Sequence, residues 1–359
     1  MRHYYPKRKD NRALKIIVTG ISNSGRKEFM EKFQKLCDQR KADISFFDTG
    51  DVMKQTAKES GINFTDLKVL DSDATVLSLA RRTAFYKIAL ASQKTQHTVV
   101  GIHACFRWRG ILLEGMSYRE VLEFPADVFL NVVDNIQDVM ARFSENPQWA
   151  WMKSDEIGVW MDEEEFLTEQ LAKISGKPFY TVALEQPAED VYDLVFGDKK
   201  KFYLSYPITV LEEMPDEVEK IRGSVDRLRK SFICFDPMYI KDMGLAREME
   251  KAEPGTSVSD MDSRMIDQIK TRTVDRDYQF IHQSDFVVVM YPTDKVSPGV
   301  LSEMNFAYRY NKPVYAYFPH ARSPFFEALC ERIFTSVQEL EDFLIETNGG
   351  DDGASPNTP

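Results

Sequence analysis

Four cysteines are all that 359 residues hold, and they are scattered. Cys37, Cys105, Cys234 and Cys330 form no CxxC pair and have no histidine at a spacing suited to zinc. A disulfide framework and a structural zinc site are therefore excluded, and reduced thiols in a cytoplasmic protein are expected. Missing too is any run approaching the roughly 20 apolar residues that cross a bilayer. The basic start, Met1 to Arg12, has no apolar core behind it of the signal-peptide kind. Nor is there an excess of positive charge: 46 Lys and Arg against 57 Asp and Glu leave a net charge of -11. A nucleic-acid backbone or an anionic membrane is thereby disfavoured as the main partner, and a small anionic ligand has to be met by local basic groups.

What is present is enough chain for two ordinary domains. Apolar β-branched runs alternate with helical periods along its whole length. In the first half, Ala13–Gly20, Ile44–Asp48, Thr98–His103, Phe129–Asn135 and Lys177–Leu184 read as strands, and helical stretches separate them. Composition turns charged at Gly197–Lys201, and a new strand opens at Phe202. The expectation is an α/β protein of two doubly wound parallel-sheet domains. A polar leader (1–12) precedes a first domain (13–198), a second domain (199–345) and a disordered tail (346–359). The polar stretch Lys241–Arg272 reads as a loop with a short helix, long enough to cover a substrate.

The stretch with most chemistry runs from Asp275 to Phe318: a short helix, the buried strand Phe286–Met290, a loop, a helix and the strand Val314–Tyr317. Glu303 is placed at the start of that later helix, where free N–H groups and the helix dipole would keep it ionised, as a nucleophile requires. Asp277 stands one short helix ahead of the strand. Ligands of open α/β sheets sit outside the carboxyl ends of strands, which is where Glu303 falls.

These residues resemble the nucleoside 2-deoxyribosyltransferases and the 2'-deoxynucleoside 5'-phosphate N-hydrolases. The resemblance spans Lys201 to Leu344. It is carried by Asp277 eight residues before Asp285, Gly299 four before Glu303, and Ala307 with Lys312-Pro313 after it. It implies that Glu303 attacks the anomeric carbon while Asp277 assists departure of the base. Ser297 stands where the transferases carry an Asp that grips the sugar, a change similar to the monophosphate hydrolases. By the same resemblance Tyr203, Ser205, Tyr206, Asp236, Ser297, Gly299 and Ser323 are substrate-binding candidates, no metal is required, and a homo-oligomer of at least two copies is expected.

In the first half, Gly20–Lys27 lies between a strand and a helix and approaches the P-loop pattern G-x-x-x-x-G-K-S/T. Arg26 replaces the lysine, and Lys27 replaces the hydroxyl residue that would ligate Mg²⁺. With Thr49–Met53, Gly101–Ala104 and Gly115, this half resembles the archaeal-type adenylate kinases and related P-loop nucleotide kinases. The resemblance implies ATP or another nucleotide as ligand, with Gly20, Ser24, Gly25, Arg26, Lys27 and Arg107 as binding candidates. Ser144–Glu156, where such kinases carry an arginine-rich lid, has two tryptophans and few cations. Three readings stay open: a nucleotide N-glycosidase or transferase with a nucleotide-binding domain, a nucleotide kinase, and a non-catalytic nucleotide sensor.

Overall fold

A computed structural model describes residues 12–61, 69–211, 213–242 and 260–348. Almost all of the leader, most of the Lys241–Arg272 loop and most of the C-terminal tail fall outside these residues. Contacts divide the chain into two compact units. The first comprises the residues up to Val195 together with Tyr239–Thr273, and the second comprises Phe196–Met238 and everything from Val274. Where the sequence suggested a single cut near residue 198, the chain thus crosses three times.

The first unit is built on a five-stranded parallel sheet. Its strands are β1 (Lys15–Thr19), β2 (Ile44–Asp48), β3 (His97–Gly101), β6 (Val128–Val133) and β7 (Phe179–Ala183), in the order β2-β3-β1-β6-β7. All six residues of β6 are buried, as expected of a strand covered on both faces. Between β3 and β6 stands an antiparallel hairpin, β4 (Cys105–Trp108) and β5 (Ile111–Glu114). The sequence reading ended its strand at His103 and gave this segment no element of its own. Its two-residue turn is Arg109-Gly110, both at positive φ (51° and 76°), the geometry of a tight hairpin turn without the usual Asn-Gly signal.

The second unit holds β8 (Lys201–Ser205), β9 (Ile233–Phe235), β10 (Phe286–Met290), β11 (Val314–Tyr317) and β12 (Arg332–Phe334). They form one parallel sheet ordered β12-β11-β10-β8-β9. Phe202, Leu204, Phe232, Cys234, Phe286, Val288 and Met290 lie in one buried cluster with Leu228, Leu340 and Leu344. From β8 the chain goes to β9 on one side, and from β10 to β11 on the other, so the two connections part between β8 and β10. Beyond the carboxyl ends of those neighbouring strands an open α/β sheet forms its crevice.

A single helix, Asp260–Gln283, precedes β10. This corrects the expectation of a loop followed by a separate short helix before the strand. Ile266, Ile269, Phe280 and Ile281 are buried along it at helical spacing, a pattern diluted in the sequence by the polar residues between them. Residues of this helix up to Thr273 group with the first unit and those from Val274 with the second. Among the described residues no helix is long and apolar enough to cross a membrane.

Candidate active site

In the second unit β8 delivers Tyr203 and Ser205, both fully buried. The loop after β10 feeds the helix Pro298–Arg309, which carries Glu303. Ser205 Oγ lies 2.5 Å from Glu303 Oε2 and donates to it. The hydroxyl of Tyr203 has no geometric hydrogen-bond partner among the described residues, yet it lies close enough to favour the charged form of Glu303. Asp277 comes from the helix Asp260–Gln283, where Arg276 Nε and Nη2 lie 3.2 and 3.0 Å from its Oδ1. Two carboxyls, an arginine, a serine and a tyrosine thus converge from three elements.

The electrostatics reverse one expectation from the sequence. Glu303 is the sixth residue of its helix, and no acidic residue lies in the first turn, so it has passed the end where the dipole and free N–H groups act. Its carboxyl is pushed up to about 8, first by burial and then by the negative charge of Asp277. Ser205, Tyr203 and Arg276 oppose that rise without overcoming it. The residue as a whole is only half-buried, so the carboxyl is closely packed beneath a surface that remains partly open. Tyr203, buried beside two carboxyls, has its phenol held well above the usual range, with burial the largest cause.

The other sequence candidates of this unit are distributed as follows. Tyr206 Oη donates to Asp236 Oδ1 at 2.8 Å, and the same oxygen accepts from Met238 N at 2.9 Å. Ser297 caps the helix of Glu303 through its side chain, at 3.5 Å from Val300 N. Tyr291 locks the preceding loop: Ser297 N donates to its Oη at 2.6 Å, and Oη donates to Lys295 O at 2.8 Å. Gly299 is exposed, and a Cβ built there would meet nothing within 4 Å, so packing does not require glycine at that position. Ser323 caps the short helix Pro324–Glu327 in an exposed loop. Tyr278, missed by the sequence reading, stacks on Phe306 at 4.1 Å and hydrogen-bonds Ser302 at 2.6 Å, fixing the Asp277 helix to the Glu303 helix.

In the first unit the loop Gly20–Lys27 joins β1 to the helix Arg26–Gln39. Gly25 sits at φ +84°, and a Cβ there would come within 2.4 Å of Leu184 Cδ2, so only glycine fits. Arg26 is buried and Nη2 donates to Asp48 Oδ2 at 2.9 Å. Lys27 Nζ donates to both oxygens of Asp51, at 2.9 and 2.8 Å. Arg107, expected to face a phosphate, is instead held by Glu163 through Nε and Nη2 at 3.0 and 2.5 Å. The hairpin turns its side chain toward the helix Ser154–Ser175, a geometry not visible while Cys105–Trp108 was given no element of its own.

A residue the sequence reading passed over organises this end of the sheet. Glu164, 1% exposed, accepts from Gly20 N (3.1 Å) and Ala104 N (2.8 Å) with one oxygen and from Cys105 N (2.9 Å) with the other. It ties the loop after β1 to the start of the hairpin. Burial raises its pKa and is opposed by those three N–H bonds. The four tryptophans of the missing lid region and its surroundings are packed nearby, with Trp149 4.8 Å from Trp160 and 5.1 Å from Trp108 between ring centroids. Among the described residues no group of three or more His, Cys, Asp or Glu side chains is arranged to hold a metal ion.

No protein-family model matches the chain, and no curated protein matches its sequence.

Proposed function

We propose that the second unit cleaves or transfers the N-glycosidic bond of a (deoxy)nucleoside 5'-monophosphate through a covalent glutamyl-sugar intermediate. The observation that carries this reading is the meeting of Glu303, held by Ser205 at 2.5 Å, with Asp277, whose helix Tyr278 fixes to that of Glu303; the charge of Asp277 raises the pKa of Glu303. Two neighbouring carboxyls that share one proton supply together an ionised nucleophile and a protonated acid. Proton transfer from Glu303 to Asp277 sets both roles without exchange with solvent. A Glu303 oxygen then bonds to C1', the C1'–N bond breaks, and its electron pair leaves with the base, which takes the proton from Asp277. Water, deprotonated by Asp277, next attacks C1' and releases Glu303 as a carboxylate; a second base in place of water gives transfer. This chemistry needs no metal.

Several observations support the family assignment that the sequence suggested. Counted in chain order, the strands of the second unit run 2-1-3-4-5, the doubly wound flavodoxin-like order, and Ser205 and Glu303 lie at its switch point. Tyr206, Asp236 and Ser297 are the polar groups proposed to orient the sugar phosphate. The loop of Ser323, next to Phe325 at 86% exposure, is proposed to meet a second copy in a homo-oligomer. The first unit, with its glycine-bounded loop after the central β1, is proposed as a P-loop-type nucleotide-binding domain. A working kinase is the second reading, disfavoured by Lys27 in place of the hydroxyl and by Arg107 being held by Glu163.

The test incubates the full chain with a panel of nucleosides and 5'-monophosphates, with and without ATP, and separates free bases by chromatography. Base release by the wild type, lost in Glu303→Ala, is the expected result. Release that persists unchanged in Glu303→Ala removes the nucleophile, and ATP-dependent phosphorylation without release installs the kinase reading instead.

A further inference from the structure

The loop Gly20–Lys27 takes no part in the glycosidic chemistry of Glu303. It nevertheless gathers an unusual set of polar atoms. Arg26 is 6% exposed, and of its guanidinium only Nη2 is paired, with Asp48. Its Nε and Nη1 are buried with no hydrogen-bond partner among the described residues. So are Ser24 Oγ, Asn23 Nδ2 and Thr49 Oγ1, from the loop itself and from the residue after Asp48. His103 Nδ1, 3.9 Å from Glu164 Oε1, is a further buried atom without a hydrogen bond, on a ring whose protonation is disfavoured by burial and then by the charge of Arg26. Buried donors are ordinarily satisfied, and several orphans at one loop point to a missing ligand. The set is rich in donors: two guanidinium nitrogens, an amide NH₂ and two hydroxyls. It adjoins the first turn of a 14-residue helix that has no side-chain cap. A polyatomic oxyanion is the complement of such a set.

A P-loop resemblance brings with it the expectation of Mg²⁺ beside that anion, and the residues do not fit the ion. The hydroxyl that would ligate it is replaced by Lys27. The ammonium of Lys27 donates to both oxygens of Asp51 and lies 3.6 Å from Asp48 Oδ1. Asp48 Oδ2 is already engaged by Arg26. Both carboxylates that would attract a divalent cation therefore carry protein cations.

We infer that the first unit binds the phosphate chain of a nucleotide as a metal-free anion, neutralised by the buried guanidinium of Arg26 and the tethered ammonium of Lys27 in place of a divalent ion. This rests on reading the first unit as a nucleotide-binding domain and is independent of the reaction at Glu303. Arginine suits the role because its planar fork offers several donors and stays charged when buried. Without a metal to activate the terminal phosphate, binding is not followed by phosphoryl transfer.

Titration calorimetry on the full chain, with ATP, inorganic tripolyphosphate or adenosine in excess EDTA and again in excess Mg²⁺, tests the inference. ATP is expected to bind in EDTA at least as tightly as in Mg²⁺, and tripolyphosphate, but not adenosine, to compete with it. Arg26→Met should weaken ATP binding by about tenfold or more in both buffers. Lys27→Ser, at an exposed position that leaves folding intact, should make binding depend on Mg²⁺; this variant carries the test if Arg26→Met does not fold. Wild-type binding that requires Mg²⁺ overturns this inference alone, as does competition by adenosine but not tripolyphosphate. No binding of ATP or tripolyphosphate under either condition overturns the nucleotide-binding reading of the first unit with it.

Discussion

Ser205, the last residue of β8, hydrogen-bonds Glu303 across 98 residues of sequence at 2.5 Å. The bond favours the charged form of a carboxyl that burial and Asp277 both disfavour. Ser205→Ala should therefore push the Glu303 pKa still higher and leave less of it ionised near neutrality. Proton transfer from Glu303 to Asp277 is then harder, and we expect base release at pH 7 to fall by roughly tenfold, the equivalent of about one pH unit, with the alkaline decline of the rate moved to higher pH. A loss with no movement of that decline would assign the serine to substrate contact instead.

The reactive pair keeps one proton, so kcat/KM for base release, the parameter that reports free-enzyme ionisation, should hold level up to the raised pKa of about 8 and decline as pH climbs past it. Asp277→Asn removes both the negative neighbour and the proton donor, so the maximal rate should fall and the alkaline decline should disappear. Rate against pH for the two proteins, overlaid, is the measurement. An alkaline decline that persists unchanged in Asp277→Asn would mean that Asp277 does not hold the shared proton.

The same raised pKa has a consequence for stability. A carboxyl whose folded-state pKa exceeds its ordinary value of 4.5 binds a proton more tightly when folded. Its contribution is complete below the unfolded pKa and is lost as pH rises through the folded one. Glu303→Gln cannot lose a proton, so its melting temperature should gain on that of the wild type progressively between pH 5 and 8 and hold that gain above. A difference independent of pH would show that the carboxyl does not titrate in that window.

How far the sequence revealed this site depends on which force decides each feature. Strands such as Phe286–Met290 are legible because burial on both faces demands a continuous apolar run. Glu303 and Asp277 were reached through spacing, but the charge state of Glu303 was not, since burial and Asp277 set it, opposed by Ser205 and Tyr203 from a strand about 100 residues away in sequence. The hairpin of β4 and β5 was hidden because its Arg109-Gly110 turn lacks the common signal. Glu164 was hidden inside the acidic run Asp162–Glu165, which looks like a solvated face. A signal was present nonetheless: Ile157, Trp160, Met161, Thr168, Leu171 and Ala172 are buried at helical spacing, and Glu164 lies on that same stripe. A carboxylate on the apolar face of a helix calls for buried donors opposite it.

Those donors are the backbone N–H groups of Gly20, Ala104 and Cys105, and they make Glu164 the most informative residue to remove from the first unit. Glu164→Ala leaves all three facing a side-chain void, with no second acceptor provided by the mutation. An unsatisfied buried donor costs about 1–3 kcal/mol, although relaxation and entering water reduce the sum for neighbouring groups. Against this, the wild-type carboxylate is itself disfavoured by burial, which returns part of the loss when it is deleted. We expect a net destabilisation of about 2–4 kcal/mol, somewhat below the roughly 3–5 kcal/mol of breaking a buried ion pair because of that return. All four tryptophans of the chain, Trp108, Trp149, Trp151 and Trp160, lie in the first unit, so their fluorescence in a urea titration reports its unfolding selectively. The midpoint should fall clearly in Glu164→Ala. A midpoint equal to that of the wild type would mean that the three N–H groups find other partners, and that Glu164 is not what holds the loop after β1 to the hairpin.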